Sequence, residues 1–454
     1  MGTVGLSFGS ATSGQGFDVA TTVTQIQASE QAIETPWQNQ LTALQAQDTV
    51  FTSLGSDLSS LSSSLQALTD FEGVFSAKQG SSSNTDLLNL SSASSTAAAG
   101  SHTIVINQLA QTSSNASTAI SNASDALSGT LTIQGHTFNV DSSDNDTTLA
   151  TLSAAINSAD IGVSASVITD SSGSRLSIVS GTSGAAGQLT ISSSLTGASS
   201  GSITFPSTSG EVGQDAQLTV DGVSISSPSN TVSNAIPGVT FQLLATSTTA
   251  VQVQIVDDTT SIGNAVSSFV SAYNTVIKDI NTQEGNDSSG SPEPLFGSPV
   301  LAQLQQQLAG SLFTGAASGS INNITQLGIG MNNDGTLTLD ADTLNSVLNS
   351  NLSDVTGFLQ NSGSFGLSMQ STLDNLGTQA PNGAIYLAQQ QNAAQEKSLN
   401  SDITNEDALL ATQKIQLTDE LNTANQILQS IPSQLNQVNE MYSAITGYNQ
   451  NPQG

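Results

Sequence analysis

The sequence contains no cysteine and few aromatic residues. The absence of cysteine excludes disulfides and thiolate metal sites, and it makes no demand on the redox compartment. Aromatic residues make up 4% of the 454 residues and hydrophobic residues 36%, so the cores must be thin and built largely from Leu, Ile, Val and Ala. This composition favours several small domains in an elongated arrangement over one large globule.

Basic residues are also scarce. Five Lys and Arg residues stand against 35 Asp and Glu residues, which gives a formal net charge of -30. Such a charge repels phosphate backbones and anionic lipid, so we expect neither nucleic-acid binding nor membrane-surface binding. No apolar run approaches the roughly 18 residues needed to cross a bilayer. The first residues lack the basic and apolar segments of a secretory signal peptide, so we expect no cleaved signal.

Heptad spacing is present near both ends of the chain. Pro432 lies inside the C-terminal pattern and predicts a kink or a division of that helix. The two seams suggest that the termini pack together, against each other or against neighbouring subunits, with an ordinary two-helix core as the alternative. The N-terminal seam consists of Phe51, Leu54, Leu58, Leu61, Leu65 and Leu68. The C-terminal seam consists of Leu417, Leu421, Ala424, Leu428, Ile431, Leu435, Val438, Tyr442 and Ile445.

Between the seams the hydrophobic pattern changes to period two. "AQLTVDGVSI" predicts two strands joined by a turn at Asp221 and Gly222, and "GTLTIQGHTFNV" repeats the design. A segment after each hairpin, "TTLATLSAAINSA" and "NTVSNAIPGV", is predicted to be helical. Tracts rich in Ser, Ala and Gly near 91–100, 112–128 and 181–202 are predicted to be linkers or mobile loops. The chain is therefore predicted to be α+β and multidomain, with two strand-rich lobes, one inserted in the other.

The stretch "NNDGTLTLDAD" has the acidic and amide residues of a calcium loop but not their spacing. With Gly335 at the sixth position, the first and twelfth positions fall on Gly330 and Ala341, which have no side-chain oxygen. We therefore interpret Asp334 and Gly335 as a hairpin turn and Asp340 as the cap of the following helix. No metal site is predicted here.

A search for catalytic residues gives little. His102 and His136 are isolated in strand-like segments without a second histidine nearby. A Gly-x-Ser-x-Gly match, "GASSG" at 197–201, lacks the strand–turn–helix context of a nucleophile elbow. Asp257 with Asp258, and Asp340 with Asp342, could pair as acid and base, but a turn or a helix cap explains each of them more simply. We predict no catalytic residue, metal ligand or cofactor, and an enzyme is the weaker hypothesis.

Four stretches together carry a family resemblance. They are "GFDVATTVTQIQASEQAIETP", "AAAGSHTIVINQLAQ" at 97–111, "LTVDGVSISSPSNTVSNAIPGVTFQL" at 218–243, and the region of the "NNDGTLTLD" hairpin. The chain resembles the bacterial flagellar cap proteins, also called hook-associated protein 2. In addition, "GTLTIQG" with "AINSADIGVSASV" resembles a module inserted in flagellins. The departures are His102 where the family usually has tyrosine, Phe17 where leucine is usual, and a C-terminal helix poor in Lys and Arg.

The resemblance implies a coiled-coil leg formed by the terminal helices and a head formed by the strand-rich lobes. On that basis the chain divides into N-terminal leg helices (1–75), the first part of an inner head lobe (76–112), an inserted outer head lobe (113–212), the second part of the inner lobe (213–258), the C-terminal part of the leg (259–431) and a terminal partner-facing helix (432–454).

The resemblance also implies a function in assembly. A cap of this kind forms a homo-oligomeric ring, of about five subunits in the family, at the distal tip of the flagellar filament. It promotes the folding and insertion of exported flagellin and prevents its leakage. The implied partners are flagellin, hook–filament junction proteins and an export chaperone, and the implied route is the flagellar type III apparatus. An adhesin is the alternative function, and a hydrolase of surface polymers is a third.

Overall fold

The computed structural model describes residues 15–141 and 148–447. The helices of these residues are α1 (Val19–Gln31), α2 (Thr35–Thr69), α3 (Leu149–Ser158), α4 (Thr259–Gln283), α5 (Pro299–Ser311), α6 (Ala341–Gln360), α7 (Phe365–Leu376) and α8 (Ala384–Thr446). None of these helices is long and apolar enough to cross a membrane.

The strands, of up to 11 residues, are antiparallel where they pair in ladders. Together with the helices they confirm the predicted α+β class. In chain order they are β1 (Lys78–Ser82), β2 (Leu88–Ala93), β3 (Gly100–Gln108), β4 (Thr112–Ala116), β5 (Leu127–Ile133), β6 (His136–Val140), β7 (Val163–Asp170), β8 (Gly173–Ser183), β9 (Ile191–Ser193), β10 (Leu195–Gly197), β11 (Gly201–Ile203), β12 (Ala216–Val220), β13 (Val223–Ser227), β14 (Thr231–Ile236), β15 (Val239–Leu243), β16 (Ser247–Asp257), β17 (Ile329–Met331) and β18 (Leu337–Leu339).

The chain divides into two compact units. The helical unit comprises residues up to 69 and from 266 onward, and the strand-rich unit comprises Asp70–Ala265. Residues 15–69 and 266–447 therefore belong to the same unit, as the two heptad seams suggest. The finer domain boundaries given above stay predictions.

The core of the helical unit is built on the apolar face of α2. The six residues of the N-terminal seam are all buried, and none is more than 3% exposed. Since a fully buried leucine stabilises a fold by about 1.5–3 kcal/mol, this face is a main source of stability for the unit. Helices α6, α7 and α8 pack against α2. Phe358 of α6 stacks on Phe365 of α7 with ring centroids 5.3 Å apart, and Phe269 of α4 meets Phe365 edge-on at 6.3 Å.

Helix α8 runs antiparallel to the two N-terminal helices. Near its start, the Asn392 side-chain amide donates to the Asp48 carboxylate of α2 at 2.9 Å. Further along, the Leu410 carbonyl accepts from the Gln27 amide of α1 at 2.8 Å, and the Asn425 side-chain oxygen accepts from the Phe17 backbone N–H at 2.9 Å. The termini therefore pack against each other within one chain, which was one of the two alternatives.

Pro432 does not divide this helix. Helix α8 continues from Ala384 to Thr446 with Pro432 in its interior. The prediction of a division is therefore wrong, and the segment from 432 onward begins as a continuation of α8 and not as a separate helix. A proline removes one backbone hydrogen bond and crowds the preceding turn, but a long helix with intact turns on both sides can tolerate this local loss.

The strand-rich unit contains two separate cores. The first lies under the five-stranded sheet β1-β16-β3-β12-β13 and the three-stranded sheet β14-β15-β2. The second is formed by the sheet β4-β8-β7, the sheet β11-β10-β5-β6 with β9, and helix α3. The second core draws its buried residues from 120–203, and the first draws them from 88–110 and 216–255. Each core is rich in Leu, Ile, Val and Ala, as the composition requires.

Two local predictions in this unit are wrong. The segment "NTVSNAIPGV" contains strand β14, because pairing with β15 satisfies its backbone better than an isolated short helix would. The tracts near 91–100, 112–128 and 181–202 include parts of β2, β4, β5, β8, β9 and β10 rather than only loops. The few large apolar residues of these tracts contribute to the core, since Leu127 and Leu195 are both completely buried.

Candidate functional site

The stretch around Asp334 is a hairpin turn, and its carboxylate is already used by its own loop. Strands β17 and β18 pair from Ile329 with Leu339 to Met331 with Leu337. Gly335 has φ +81°, a conformation that glycine adopts without strain. One Asp334 oxygen accepts from the Thr336 backbone N–H at 3.0 Å and from its hydroxyl at 2.6 Å. These bonds from Thr336 lower the pKa of Asp334, and they leave the loop a structural one.

Asp340 caps α6 as predicted. Its carboxylate accepts from the backbone N–H groups of Asp342 and Thr343, at 3.1 and 3.2 Å. The apolar face of α6 then buries Leu344 and Leu348. Asp340 is therefore the N-cap of α6. An acid–base role for Asp340 with Asp342 has no geometric support.

The second turn, at Asp221 and Gly222, joins β12 to β13. Both residues have positive φ, +50° and +84°, as in a type I′ hairpin turn. Asp221 accepts from the Thr103 backbone N–H at 2.8 Å and contacts His102 Nδ1 at 2.7 Å. The bonds from Thr103 and His102 lower the pKa of Asp221. The histidine that replaces the family's tyrosine therefore fastens this turn to β3.

The Gly-x-Ser-x-Gly match is also a turn. Gly197 ends β10 and pairs with Gly201 at the start of β11. Ser199 donates its hydroxyl to Asp125 at 2.7 Å, and Asp125 is buried. Within the described residues, no group of three or more His, Asp or Glu side chains is placed to hold a metal ion.

The two heptad seams differ in their exposure. The α2 seam is buried, whereas Leu417, Leu421, Leu428 and Ile431 of α8 are half-buried. Beyond Pro432, the seam residues are exposed by 45% at Leu435, 56% at Val438, 53% at Tyr442 and 84% at Ile445.

The exposed stripe is wider than the heptad seam. Met441, 63% exposed, lies one turn beyond Val438 and was not part of the predicted seam. We call Leu435, Val438, Met441, Tyr442 and Ile445 the distal face of α8. A helix rises about 1.5 Å per residue, so α8 extends about 30 Å beyond Asn425, where Phe17 makes its contact.

Sequence reasoning could have found Met441 by allowing a stripe wider than a strict heptad. Ile415 and Ile427, 66% and 58% exposed, extend the apolar surface of α8 outside the predicted seam. Large exposed apolar surfaces are typical of interaction sites, and the distal face is the candidate here. Whether the seams act in assembly stays a prediction, taken up below.

These features indicate the general class of protein to which the chain belongs. The chain is an α+β protein with a helical unit that pairs both ends of the sequence, turns in place of the suspected metal and nucleophile sites, and an apolar helix end open for a partner. That combination is typical of a structural protein that assembles with others.

Comparison with known proteins identifies the family. The profile of the flagellar hook-associated protein 2 N-terminus matches residues 15–113, and that of its C-terminus matches residues 213–436. The B-type flagellar hook-associated protein 2 of Pseudomonas aeruginosa is 32% identical, over 87% of this chain and 92% of that protein. The flagellar hook-associated protein 2 of Escherichia coli K12 is 29% identical, over 75% of this chain and 78% of that protein.

A solved structure agrees with this assignment. This chain superposes on the crystal structure of the D1-D2-D3 domains of the flagellar cap protein FliD from Escherichia coli with a TM-score of 0.57 and 28% sequence identity. The match covers 76% of this chain and 99% of the solved chain. The chain belongs to the flagellar hook-associated protein 2 family, the flagellar filament cap proteins. The resemblance drawn from the sequence is thereby confirmed, and the adhesin alternative finds no support in these comparisons.

Proposed function

We propose that this chain caps the distal tip of the flagellar filament as a homo-oligomeric ring and acts there without catalysis. In that position it promotes the folding and insertion of exported flagellin and prevents its leakage. The ring size of about five, the junction proteins, the export chaperone and the type III export route belong to the same proposal.

The distal face of α8 carries this proposal. Its five residues are each at least 45% exposed, in a chain whose other heptad seam is at most 3% exposed. Exposed apolar side chains at helical spacing fit the groove of a partner helix or helix pair. Flagellin or a junction protein that supplies such a helix would cover the stripe when the cap sits on the filament.

The test uses a strain that lacks the gene for this chain and is complemented with variants. Leu435→Asp combined with Val438→Asp places two charges on the distal face and should abolish filaments, with flagellin released into the medium. Because this face is exposed, the variant should fold and melt as the wild type does. Electron microscopy and flagellin in the culture supernatant are the readouts.

The matched control is Asn436→Asp combined with Gln437→Asp. It adds the same charge one residue away, on the exposed polar side of α8. It should leave filaments intact. Normal filaments in the Leu435→Asp, Val438→Asp strain would reject the distal face as the attachment surface, whereas normal filaments in the deletion strain itself would reject the capping function.

A further inference from the structure

Among the described residues of the helical unit, three buried carboxylate oxygens have no hydrogen-bond partner. They are Oε1 of Glu34, in the turn between α1 and α2, Oδ2 of Asp57, in α2, and Oε1 of Glu396, in α8. Glu34 is only 1% exposed. Buried polar groups are ordinarily paired, so each orphan oxygen calls for an explanation.

Two of these oxygens, those of Glu34 and Asp57, belong to acids that face another carboxylate. Glu34 lies within hydrogen-bonding reach of Asp407 of α8, with Glu406 of the same helix nearby. Asp57 lies within hydrogen-bonding reach of Asp279 of α4. Both contacts join the N-terminal part of the helical unit to its C-terminal part. Two ionised carboxylates at this range repel each other, and neither can donate a hydrogen bond.

Among the described residues, no basic side chain neutralises either pair. Lys278, Lys397 and Lys414 are the lysines of the helical unit, and none forms an ion pair within 4.0 Å there. Lys278, next to Asp279 in the chain, acts on Asp334 of the hairpin instead. The neutral neighbours of Glu34 are Gln31 and Gln38, and the Gln38 amide reaches only Oε2, at 3.4 Å.

A proton is the ligand that fits both places. The unpaired oxygens of Glu34 and Asp57 have almost no contact with solvent, and the described residues offer no cluster of three ligands for a metal. A single shared proton converts each repulsive contact into a carboxyl–carboxylate hydrogen bond. Asp279 also lines a surface cavity of about 260 Å³, which gives water access to this member of the second pair.

We propose that two carboxylate pairs, Glu34 with Asp407 and Asp57 with Asp279, each bind a shared proton, and we call them the clasps. In mild acid the protonated clasps hold the N-terminal helices against α8 and α4. At neutral pH and above they lose the proton, and these contacts weaken. Because Glu34 sits at the turn after α1, its clasp governs how firmly α1 is held on α8. Because Asp57 sits in the middle of α2, its clasp acts on the packing of α2 with α4.

The direction of the pH effect follows from the charges. Burial, followed by the contact with Asp279, raises the pKa of Asp57 from 3.8 to about 6. Burial, followed by repulsion from Asp407, raises the pKa of Glu34. The folded unit therefore binds more protons than the unfolded chain between the two pKa values. Its stability is greatest below the unfolded value and falls as the pH rises through the folded value, which for Asp57 is a window from 3.8 to about 6.

Hydrogen exchange on the purified full chain tests the clasps. Protection factors, corrected for the intrinsic pH dependence of exchange, are measured by mass spectrometry between about pH 5 and pH 8, a range that extends above the folded pKa of Asp57. Protection of the α2 peptides should fall on the order of tenfold across this range, the factor that corresponds to one pKa unit. Protection of the α1 peptides should fall in the same direction. Peptides from β5 and β8 in the strand-rich unit serve as the internal reference.

Amide variants separate the clasps from general pH effects. Asp57→Asn should remove the pH dependence from α2, and Glu34→Gln should remove it from α1, because an amide donates at every pH. The control Asp402→Asn, at an exposed carboxylate of α8, should keep the wild-type slope. Should either variant fail to fold, Asp279→Asn and Asp407→Asn remove the opposing charge instead. Wild-type protection that does not change with pH, or amide variants that keep the full slope, would overturn the proposal.

Discussion

The α2 seam and the distal face of α8 have the same heptad spacing and opposite surroundings. Leu61 in the α2 seam is fully buried, whereas Leu435 in α8 is 45% exposed. The difference arises because α2 lies between several helices of its own unit, while the end of α8 extends past the point where α1 begins. A heptad seam therefore predicts that another helix packs on that face. The rest of the fold determines whether that helix belongs to the same chain or to a partner.

Leu61→Ala should destabilise the helical unit strongly. It leaves a cavity at a fully buried position, which costs about 2–5 kcal/mol. Leu435→Ala is the matched change on the distal face and should cost less than about 0.5 kcal/mol in the isolated chain. Urea unfolding followed by circular dichroism measures both. Equal losses for the two variants would show that the distal face is covered in the isolated protein.

Asn392→Ala should have an intermediate effect. Asn392 is 7% exposed and its amide donates to Asp48, so its loss leaves a half-buried carboxylate with one partner fewer. We expect a cost of about 1–3 kcal/mol by urea unfolding. Asn400→Ala removes an exposed amide from the same helix and should be nearly neutral. A neutral result for Asn392→Ala would mean that apolar packing alone sets the pairing of α2 with α8.

Truncation after Ile431 should barely affect folding and should eliminate function. The removed segment carries the whole distal face, and none of its seam residues is buried. The melting temperature should stay within about 2 °C of the wild type, as expected for a small free-energy change. Swimming in soft agar should be lost. A large drop in melting temperature would place the distal face in the folding core of the isolated chain.

Calcium should have no effect. The Asp334 carboxylate already accepts two hydrogen bonds from Thr336, and side-chain ligands are missing at the first and last positions of the loop. Millimolar calcium should leave the melting temperature unchanged, whereas specific binding to the folded state would raise it. A rise of several degrees that a chelator reverses would contradict the assignment of this loop as a structural turn.

The sequence predicted those parts of the fold that local chemistry controls. The Asp-Gly turns, the cap at Asp340 and the buried face of α2 each follow from residues that are close together in the chain. Strand β14 could not be predicted in this way, since pairing with β15 and not its own composition makes it a strand. In the Ser-rich tracts, single large residues such as Leu195 are too widely spaced to form a pattern.

The candidate site was predictable to a similar extent. The distal face contains four residues of the heptad seam, but their exposure depends on where α1 starts along α8. The carboxylate pairs left no signal in the sequence at all. Asp57 and Asp279 lie far apart in the chain, and only the packing of α2 with α4 brings them together.

Pro432 lies at the border between the part of α8 that α1 covers and the part that carries the distal face. The missing backbone hydrogen bond at this residue lowers the bending stiffness of the helix at one point, while the turns on either side stay fully bonded. A sideways force on the distal face is therefore expected to bend α8 at Pro432 before it separates α1 from α8. Bending at this one residue would change the direction of the helix end while the remainder of the helical unit keeps its packing.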